Sequence, residues 1–267
     1  MKIRCLLMTA FAAAVLLSTS QADVIIYSGT TDATPEDRNT LGPPLIANVS
    51  DGLGDSVQDR NKSDGTARAG AFATTTYPSR RAAVWAFQLP TLSLGESISV
   101  ADFSVRLFSR QGTFTYNADL WALRTSGSST VLASDYGAGT SPSGPAGQVL
   151  LQDNFATTSA STSVPLSTNS TADVALKNFL NANWVNGGYL FIRANVDGDP
   201  LTFAASGTGT LNQGYSFANA ATALNANKPQ LNITIVPEPS SVALVVATGA
   251  SLLLLRRRPH QARRHGA

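Results

Sequence analysis

The sequence is poor in the side chains that most nucleophilic and metal-dependent chemistry requires. It contains one cysteine, Cys5, and two histidines, His260 and His265, and all three lie near the ends of the chain. Residues 23–236 therefore contain neither residue type. This absence excludes disulfide bonds, Ser-His and Cys-His nucleophile arrangements and ordinary structural zinc sites from the central part of the chain.

Charged residues are also few, at 13% of the chain, and they are unevenly distributed. The whole chain has a formal net charge of +2, but seven of its 19 basic residues lie in the two ends. Residues 23–236 hold 12 basic and 16 acidic residues, which gives this span a net charge of −4. A mildly acidic domain repels phosphate backbones, so we expect no nucleic-acid partner.

Long helical patterns and repeats of fixed period are absent from the central span, which argues against solenoids and propellers. Short segments of alternating or β-branched residues predict strands instead. These segments are 24–29, 82–90, 99–109, 117–125, 148–155, 187–196 and 230–236. Only residues 170–184 change to three- and four-residue spacing, which predicts one short helix capped by Ser170 or Thr171.

Many short strands, one helix and no alternation of strands with helices predict an all-β fold, an antiparallel β-sandwich. Two stretches rich in glycine and serine, 51–71 and 137–147, predict long surface loops. The alternating pattern places Trp85 in the core, and the helical spacing does the same for Trp184.

A family resemblance supports this fold. The segments "RRAAVWAFQLPTLSLGESISVADFSVRLF", "ALKNFLNANWVNGGYLFIRANVDGD" and "KPQLNITIV" resemble the jelly-roll modules of the DNRLRE type found on bacterial surface proteins. The resemblance covers about residues 80–236 and implies a jelly-roll β-sandwich. We expect the β-sandwich domain to span residues 23–235, with its best-defined part over 80–235. It implies no particular reaction.

The N-terminal end has the pattern of an export signal. Lys2 and Arg4 precede an apolar stretch over 6–17, and small residues follow. This order predicts a signal peptide over residues 1–22, cleaved between Ala22 and Asp23. The alternative is a buried N-terminal helix.

The C-terminal end, residues 236–267, combines three features in order. The motif Val236-Pro237-Glu238-Pro239 comes first, an apolar stretch over 240–255 follows, and a basic tail over 256–267 begins with Arg256, Arg257 and Arg258. A helix from Pro239 to the end of the apolar stretch is about 25 Å long, less than the roughly 30 Å of a hydrocarbon core. This predicts a marginal transmembrane helix, stopped on the cytoplasmic side by the arginines.

This arrangement resembles the PEP-CTERM sorting signal. The resemblance implies an exosortase as partner, transient membrane attachment before processing, and release or attachment at the surface of bacteria that make extracellular polysaccharide. The paired prolines hold the motif extended, which suits binding in a peptidase-like groove. The alternative is an ordinary C-terminal membrane anchor.

Aspartate-rich loops suggest calcium as the one cofactor that the central span could bind. The predicted pair is Asp197 and Asp199 in "VDGDP", and a second acidic stretch lies at 51–64. Neither stretch has the spacing of an EF-hand. The alternative is that these aspartates and glycines form turns.

One predicted strand offers a candidate glycan-binding face. In "YLFIRANV", the residues Tyr189, Phe191, Arg193 and Asn195 lie on one side of the strand. An exposed face of aromatic and polar residues suits sugar binding, because sugar faces pack on rings while hydroxyls need hydrogen bonds. The alternative is that both faces of this strand are covered.

These observations predict an exported, non-enzymatic protein of the cell surface or extracellular matrix, held in the membrane before processing. The alternatives are a carbohydrate-binding module, with extracellular polysaccharide as partner, and a polysaccharide-active enzyme. Glycoside hydrolysis uses a pair of carboxylates, and only two glutamates, Glu36 and Glu96, lie in residues 23–236. Both lie in polar, surface-like segments, which favours the non-enzymatic prediction.

Overall fold

The alternating segments of the sequence form strands in the computed structural model. The structure describes residues 21–29, 32–38, 56–58, 66–73, 78–137, 144–197, 212–222 and 225–237. Within this part of the chain, all seven predicted strands and the predicted helix are confirmed. The agreement follows from the regular two-residue and 3.6-residue periods of their apolar side chains.

The strands are β1 Ala22–Tyr27, β2 Thr34–Arg38, β3 Ser56–Gln58, β4 Thr66–Ala73, β5 Pro78–Arg81, β6 Ala83–Gln88, β7 Glu96–Gln111, β8 Ala118–Ser126, β9 Val149–Ala156, β10 Pro165–Ser167, β11 Tyr189–Val196, β12 Gln213–Ala218 and β13 Gln230–Pro237. The helix α1 spans Ser170–Asn183, and short 3-10 helices span Ala133–Asp135 and Asn225–Asn227.

Two antiparallel sheets account for the described strands. The larger has the order β1-β13-β7-β12-β4-β5-β2-β3, with β10 also paired to β7, and the smaller has the order β6-β11-β8-β9. The first and last described strands are neighbours, so Ala22 lies opposite Ile235. The all-β, antiparallel prediction is therefore confirmed, and its sandwich layering agrees with two sheets that share a core.

The main core contains residues of both sheets and of α1. It contains the alternating residues Ala83, Trp85 and Phe87 of β6 and Leu89 directly after it. Trp85 is fully buried, donates from Nε1 to the Ala218 carbonyl oxygen at 2.9 Å and meets the Phe217 ring edge-on at 5.6 Å. Each fully buried side chain of this size contributes about 2 kcal/mol to stability.

The helix α1 packs one face on this core. Its buried residues are Ala172, Leu176, Phe179 and Leu180. The predicted cap was wrong by one or two positions, because Asn169 caps the helix instead of Ser170 or Thr171. The Asn169 side chain accepts from the backbone N–H groups of Thr171 at 3.1 Å and Ala172 at 3.0 Å.

The predicted surface loop over 51–71 was also wrong in part, because β3 and most of β4 lie within it. Strand β4 buries small side chains, Ala67, Ala69 and Ala71, which do not form a strongly apolar sequence pattern. Gly70 lies opposite Gly214 on β12, and a Cβ on Gly70 would come within 2.3 Å of the Gln213 carbonyl oxygen. Only glycine fits there, since its φ is +133°.

Several predicted features lie outside the described residues. They are signal residues 1–20, Asp199, Glu238, Pro239, the transmembrane stretch 240–255 and Arg256, Arg257 and Arg258. None of the helices in the described part of the chain is long and apolar enough to cross a bilayer.

Candidate functional site

The predicted glycan-binding face on β11 is closed, which corrects the expectation of an open platform. Phe191, Arg193 and Asn195 are fully buried, and Tyr189 is half-buried. Strand β11 lies between β6 and β8, and a second apolar cluster covers its outer face. Both faces of β11 are therefore covered, as the alternative interpretation of the sequence stated.

Arg193 holds in place the segment that covers this face, which carries Asp135 and Tyr136 and is called the cover below. Its guanidinium donates to the carbonyl oxygens of Asp135 at 3.0 Å and Tyr136 at 3.1 Å, to Gln148 Oε1 at 3.0 Å and to Asn195 Oδ1 at 3.0 Å. Burial lowers the pKa of Arg193 to about 10, so the group remains charged at neutral pH. An arginine with four acceptors within the fold serves the fold rather than a ligand.

A second arginine completes the cover. Arg124 pairs with the buried carboxylate of Asp135 through Nη2 at 2.8 Å and Nε at 3.0 Å. The same guanidinium lies 3.9 Å from the centre of the Phe191 ring. A cation over this ring face occupies the position that a sugar would need.

The opposite ends of the described chain meet at one edge of the larger sheet. Ala22 and Asp23, which flank the predicted signal-cleavage bond, lie in β1, and Asp23 Oδ1 accepts from Thr234 Oγ1 at 2.7 Å. Val236 and Pro237 of the predicted sorting motif continue β13 and pair with Ser97 and Glu96. The folded strand therefore extends two residues beyond the predicted domain boundary at 235.

Three aspartates approach one another at one end of the smaller sheet. Asp119 lies on β8, Asp153 on the edge strand β9, and Asp197 directly after β11. We call this group the acidic end. Asp119 is buried and Asp153 is exposed, so the group extends from the interior to solvent.

Two asparagines position these carboxylates. The Asn154 backbone N–H donates to Asp119 Oδ1 at 2.9 Å, and its side-chain Nδ2 donates to Asp153 Oδ2 at 2.7 Å. The Asn117 backbone N–H donates to Asp197 Oδ1 at 2.8 Å, and its side chain contacts Asn154 Oδ1 at 2.5 Å. Asn154, within β9, thus links two aspartates, and Asn117, directly before β8, fixes the third.

An irregular strand pairing creates this geometry. The register between β8 and β9 shifts between Ala118 and Leu120, directly around Asp119. Asn154, opposite this shift, has a φ of 55°, in the left-handed region that asparagine tolerates better than most residues. A bulge of this kind redirects side chains and is common beside functional sites.

The acidic end has an unusual electrostatic environment. Burial raises the pKa of Asp119 to about 6, the Asn154 N–H opposes this rise, and the charges of Asp153 and Asp197 add to it. Burial also raises the pKa of Asp197, with Asp153 contributing in the same direction. Like charges therefore accumulate at this end of the sheet.

An aromatic group lies beside the acidic end. The Phe114 ring stacks on Tyr116 with centroids 4.7 Å apart and meets Tyr215 edge-on at 5.1 Å. Tyr116 Oη donates to the Gln213 carbonyl oxygen at 2.6 Å. Burial raises the pKa of Tyr215, and the nearby charge of Asp197 adds to that rise. The aromatic and acidic groups therefore adjoin.

Of the predicted calcium pair, the structure describes only Asp197. It lies beside Asp119 and Asp153, which the sequence did not single out. These three residues are far apart in the chain, so only strand pairing brings them together. Within the described ranges, no three histidine, cysteine or acidic side chains are placed to hold a metal by themselves.

Comparison with known proteins adds no relative. No protein-family model matches the chain, and no curated protein sequence is similar to it.

Proposed function

We propose that the chain is an exported, non-enzymatic protein of the bacterial cell surface or extracellular matrix, sorted by an exosortase through its C-terminal end. One observation carries this proposal. The motif Val236-Pro237-Glu238-Pro239, the apolar stretch 240–255 and the arginines from Arg256 onward occur together and in the order of a PEP-CTERM signal. The export pattern over 1–22 supports it independently.

The placement of the chain ends supports the same proposal. Strands β1 and β13 are antiparallel neighbours, and Ala22 lies opposite Ile235. A segment that precedes β1 and a segment that follows β13 therefore leave the domain side by side. A leader and an anchor arranged in this way reach the same membrane without crossing the domain. We further propose that the two sheets are connected as a jelly roll.

The sorting proposal predicts loss of the basic tail. Glu238→Ala with Pro239→Ala alters the motif beyond the end of β13 and leaves the folded strand unchanged. In a host with an exosortase, we expect the parent protein on the surface without residues 256–267 and the variant with these residues retained. Mass spectrometry of surface and membrane fractions measures both forms.

The matched control is Ser240→Ala with Ser241→Ala, which changes two neighbouring residues outside the motif. It should be processed like the parent. Peptides from 256–267 on the mature parent protein would contradict the proposal and favour an ordinary membrane anchor.

Carbohydrate binding is a second candidate function, at a different place from the closed β11 face. The half-buried Phe114 and Tyr116 rings stack on each other, and Asn117, next to Tyr116 in the chain, donates its backbone N–H to Asp197 of the acidic end. Sugars bind to this combination of groups. This proposal requires no reaction at the acidic residues.

The binding proposal predicts that Phe114→Ala weakens retention on a neutral polysaccharide by about tenfold, as loss of an aromatic contact does. Affinity electrophoresis against a panel of bacterial polysaccharides measures this effect. Tyr27→Ala removes an exposed aromatic ring from β1 and is the matched control. Equal retention of both variants would exclude this site.

A further inference from the structure

At the acidic end, the buried carboxylate of Asp119 is only partly hydrogen-bonded by the described residues. Asp119 is 1% exposed, and its Oδ1 accepts from the Asn154 N–H. Its second oxygen, Oδ2, is buried and receives no N–H or O–H donor among the described residues; the Asp153 carboxylate lies within hydrogen-bonding reach of Asp119 but could donate only through a shared proton. A buried carboxylate oxygen without a partner is costly, and native proteins that retain one complete it with an ion, a ligand or an ordered water.

The neighbouring charges increase that cost. Asp153 and Asp197 lie close enough to act on Asp119 electrostatically, and both carry the same sign. None of the three carboxylates has an ion-pair partner in the part of the chain that the structure describes. The hydrogen bonds from Asn117 and Asn154 hold the carboxylates together but add no positive charge.

We propose that the acidic end binds a divalent cation of the calcium type, held by Asp119 Oδ2 and the Asp153 carboxylate, with Asp197 supplying further negative charge. Calcium accepts six to eight oxygen ligands, including backbone carbonyls, amide oxygens and water. Two carboxylates together with such neutral oxygens are therefore enough to coordinate a calcium ion, and a third converging carboxylate is not required. The exposed Asp153 gives the ion a path from solvent.

Calcium fits this site better than magnesium for two reasons. Magnesium needs near-ideal octahedral geometry, whereas calcium tolerates the irregular geometry of a strand bulge. Calcium sites of extracellular modules also operate at about 0.1–1 mM. The second reason rests on the proposed export, but binding to purified protein tests the site without reference to sorting.

The test is thermal unfolding of the full-length protein in detergent, with EDTA or with about 10 mM CaCl2, which is tenfold or more above the expected dissociation constant. We expect calcium to raise the melting temperature by about 5 °C or more, as a ligand well above its dissociation constant does. MgCl2 at the same concentration should give a smaller shift. Isothermal titration of the metal-free protein with CaCl2 should show saturable binding at one site.

Asp119→Asn keeps the side-chain shape and removes the charge. We expect this variant to melt in EDTA at or above the parent temperature, because a buried like charge is lost. It should lose the calcium-dependent shift. Asp102→Asn, on β7 in the other sheet, removes one charge elsewhere and should keep the full shift.

Three results would overturn the proposal. The first is a parent protein with neither a calcium-dependent shift nor heat of binding. The second is an equal shift in Asp119→Asn and in the parent. The third is a parent stabilised in EDTA by lowering the pH from 7.5 to 5.5 and unaffected by calcium, which would assign a shared proton to Asp119 and Asp153.

If Asp119→Asn does not fold, Asp153→Asn decides the question, since its exposed side chain is not needed for packing. It should weaken calcium binding by about tenfold or more, and unchanged binding would overturn the proposal. Retention of the basic tail in a host cell would contradict the sorting proposal alone. The two proposals can therefore fail separately.

Discussion

At the scale of single residues, Asp32 connects segments that are distant in the chain. Its buried carboxylate accepts from Ser28 Oγ at 2.6 Å, the Ala86 N–H at 3.1 Å and the Ala220 N–H at 2.8 Å. These donors come from the end of β1, from β6 and from the turn after β12. One side chain thus joins the two sheets through polar contacts.

Asp32 should make stability depend on pH. Burial raises its pKa from the usual 3.8 to about 7, and its three hydrogen-bond donors only partly oppose this. The folded state therefore holds a proton that the unfolded state releases above pH 4. The contribution of this bound proton to the free energy of unfolding is fully present below pH 4 and is lost as the pH rises through 7. We expect the free energy of unfolding to fall by about 3 kcal/mol over this range.

Urea unfolding at pH 4.5 and pH 7.5 measures this effect. Asp32→Asn removes the titrating group with little change in shape, so its stability should change less between the two pH values. The same pH slope in the parent and in the variant would show that other groups control the dependence.

At the scale of secondary-structure elements, local sequence pattern predicts where α1 forms, whereas a tertiary contact accompanies the cap at its N-terminus. The apolar spacing in 170–184 predicted the helix, and its buried residues follow that spacing. The cap was missed because Ser170 and Thr171, one and two positions after Asn169, are themselves good capping residues. The Asn169 backbone N–H also donates to Gln152 Oε1 at 2.9 Å, a contact with β9 that local sequence does not encode.

Asn169→Ala should therefore destabilise the protein by about 1 kcal/mol, because two N–H groups of the first turn lose their acceptor. Ser170→Ala is the matched control and should change stability by only a few tenths of a kcal/mol. Chemical denaturation of the two variants distinguishes the caps. A larger loss for Ser170→Ala would assign the cap to Ser170.

At the scale of the whole molecule, the smaller sheet is covered on both faces. The main core lies on its inner face, and the cluster of Val84, Ala86, Trp121, Leu123 and Phe191 lies on its outer face. Arg193 binds the segment that carries Asp135 and Tyr136 over that second cluster. Hydrogen bonds from Arg193 thus hold this covering segment over the outer apolar cluster.

Arg193→Met should release this cover. Its carbonyl and amide acceptors would lose their donors, and we expect stability to fall by about 3 kcal/mol. Limited proteolysis should then cut the segment between residues 128 and 148 before the rest of the domain. Arg110→Met, at an exposed arginine on β7, is the control and should leave the cleavage pattern unchanged. Equal protease resistance of both variants would show that Arg193 does not hold the segment.

The sequence by itself determined the positions of seven of the thirteen described strands, the single described α-helix, the antiparallel all-β class and the chemistry of both chain ends. These properties depend on neighbouring residues, because side-chain alternation and helical spacing repeat over a few positions. Strand β4 escaped detection because alanine carries little apolar signal, although Ala67 and Ala69 are fully buried in the sheet.

Only the tertiary structure decided which faces are open and which carboxylates meet. The side of β11 that reads as a sugar platform is buried, because a distant segment supplies its cover. Asp119, Asp153 and Asp197 come together through strand pairing and a bulge between strands that are remote in sequence. Burial and charge proximity depend on residues far apart in the chain, so no local pattern could have predicted them.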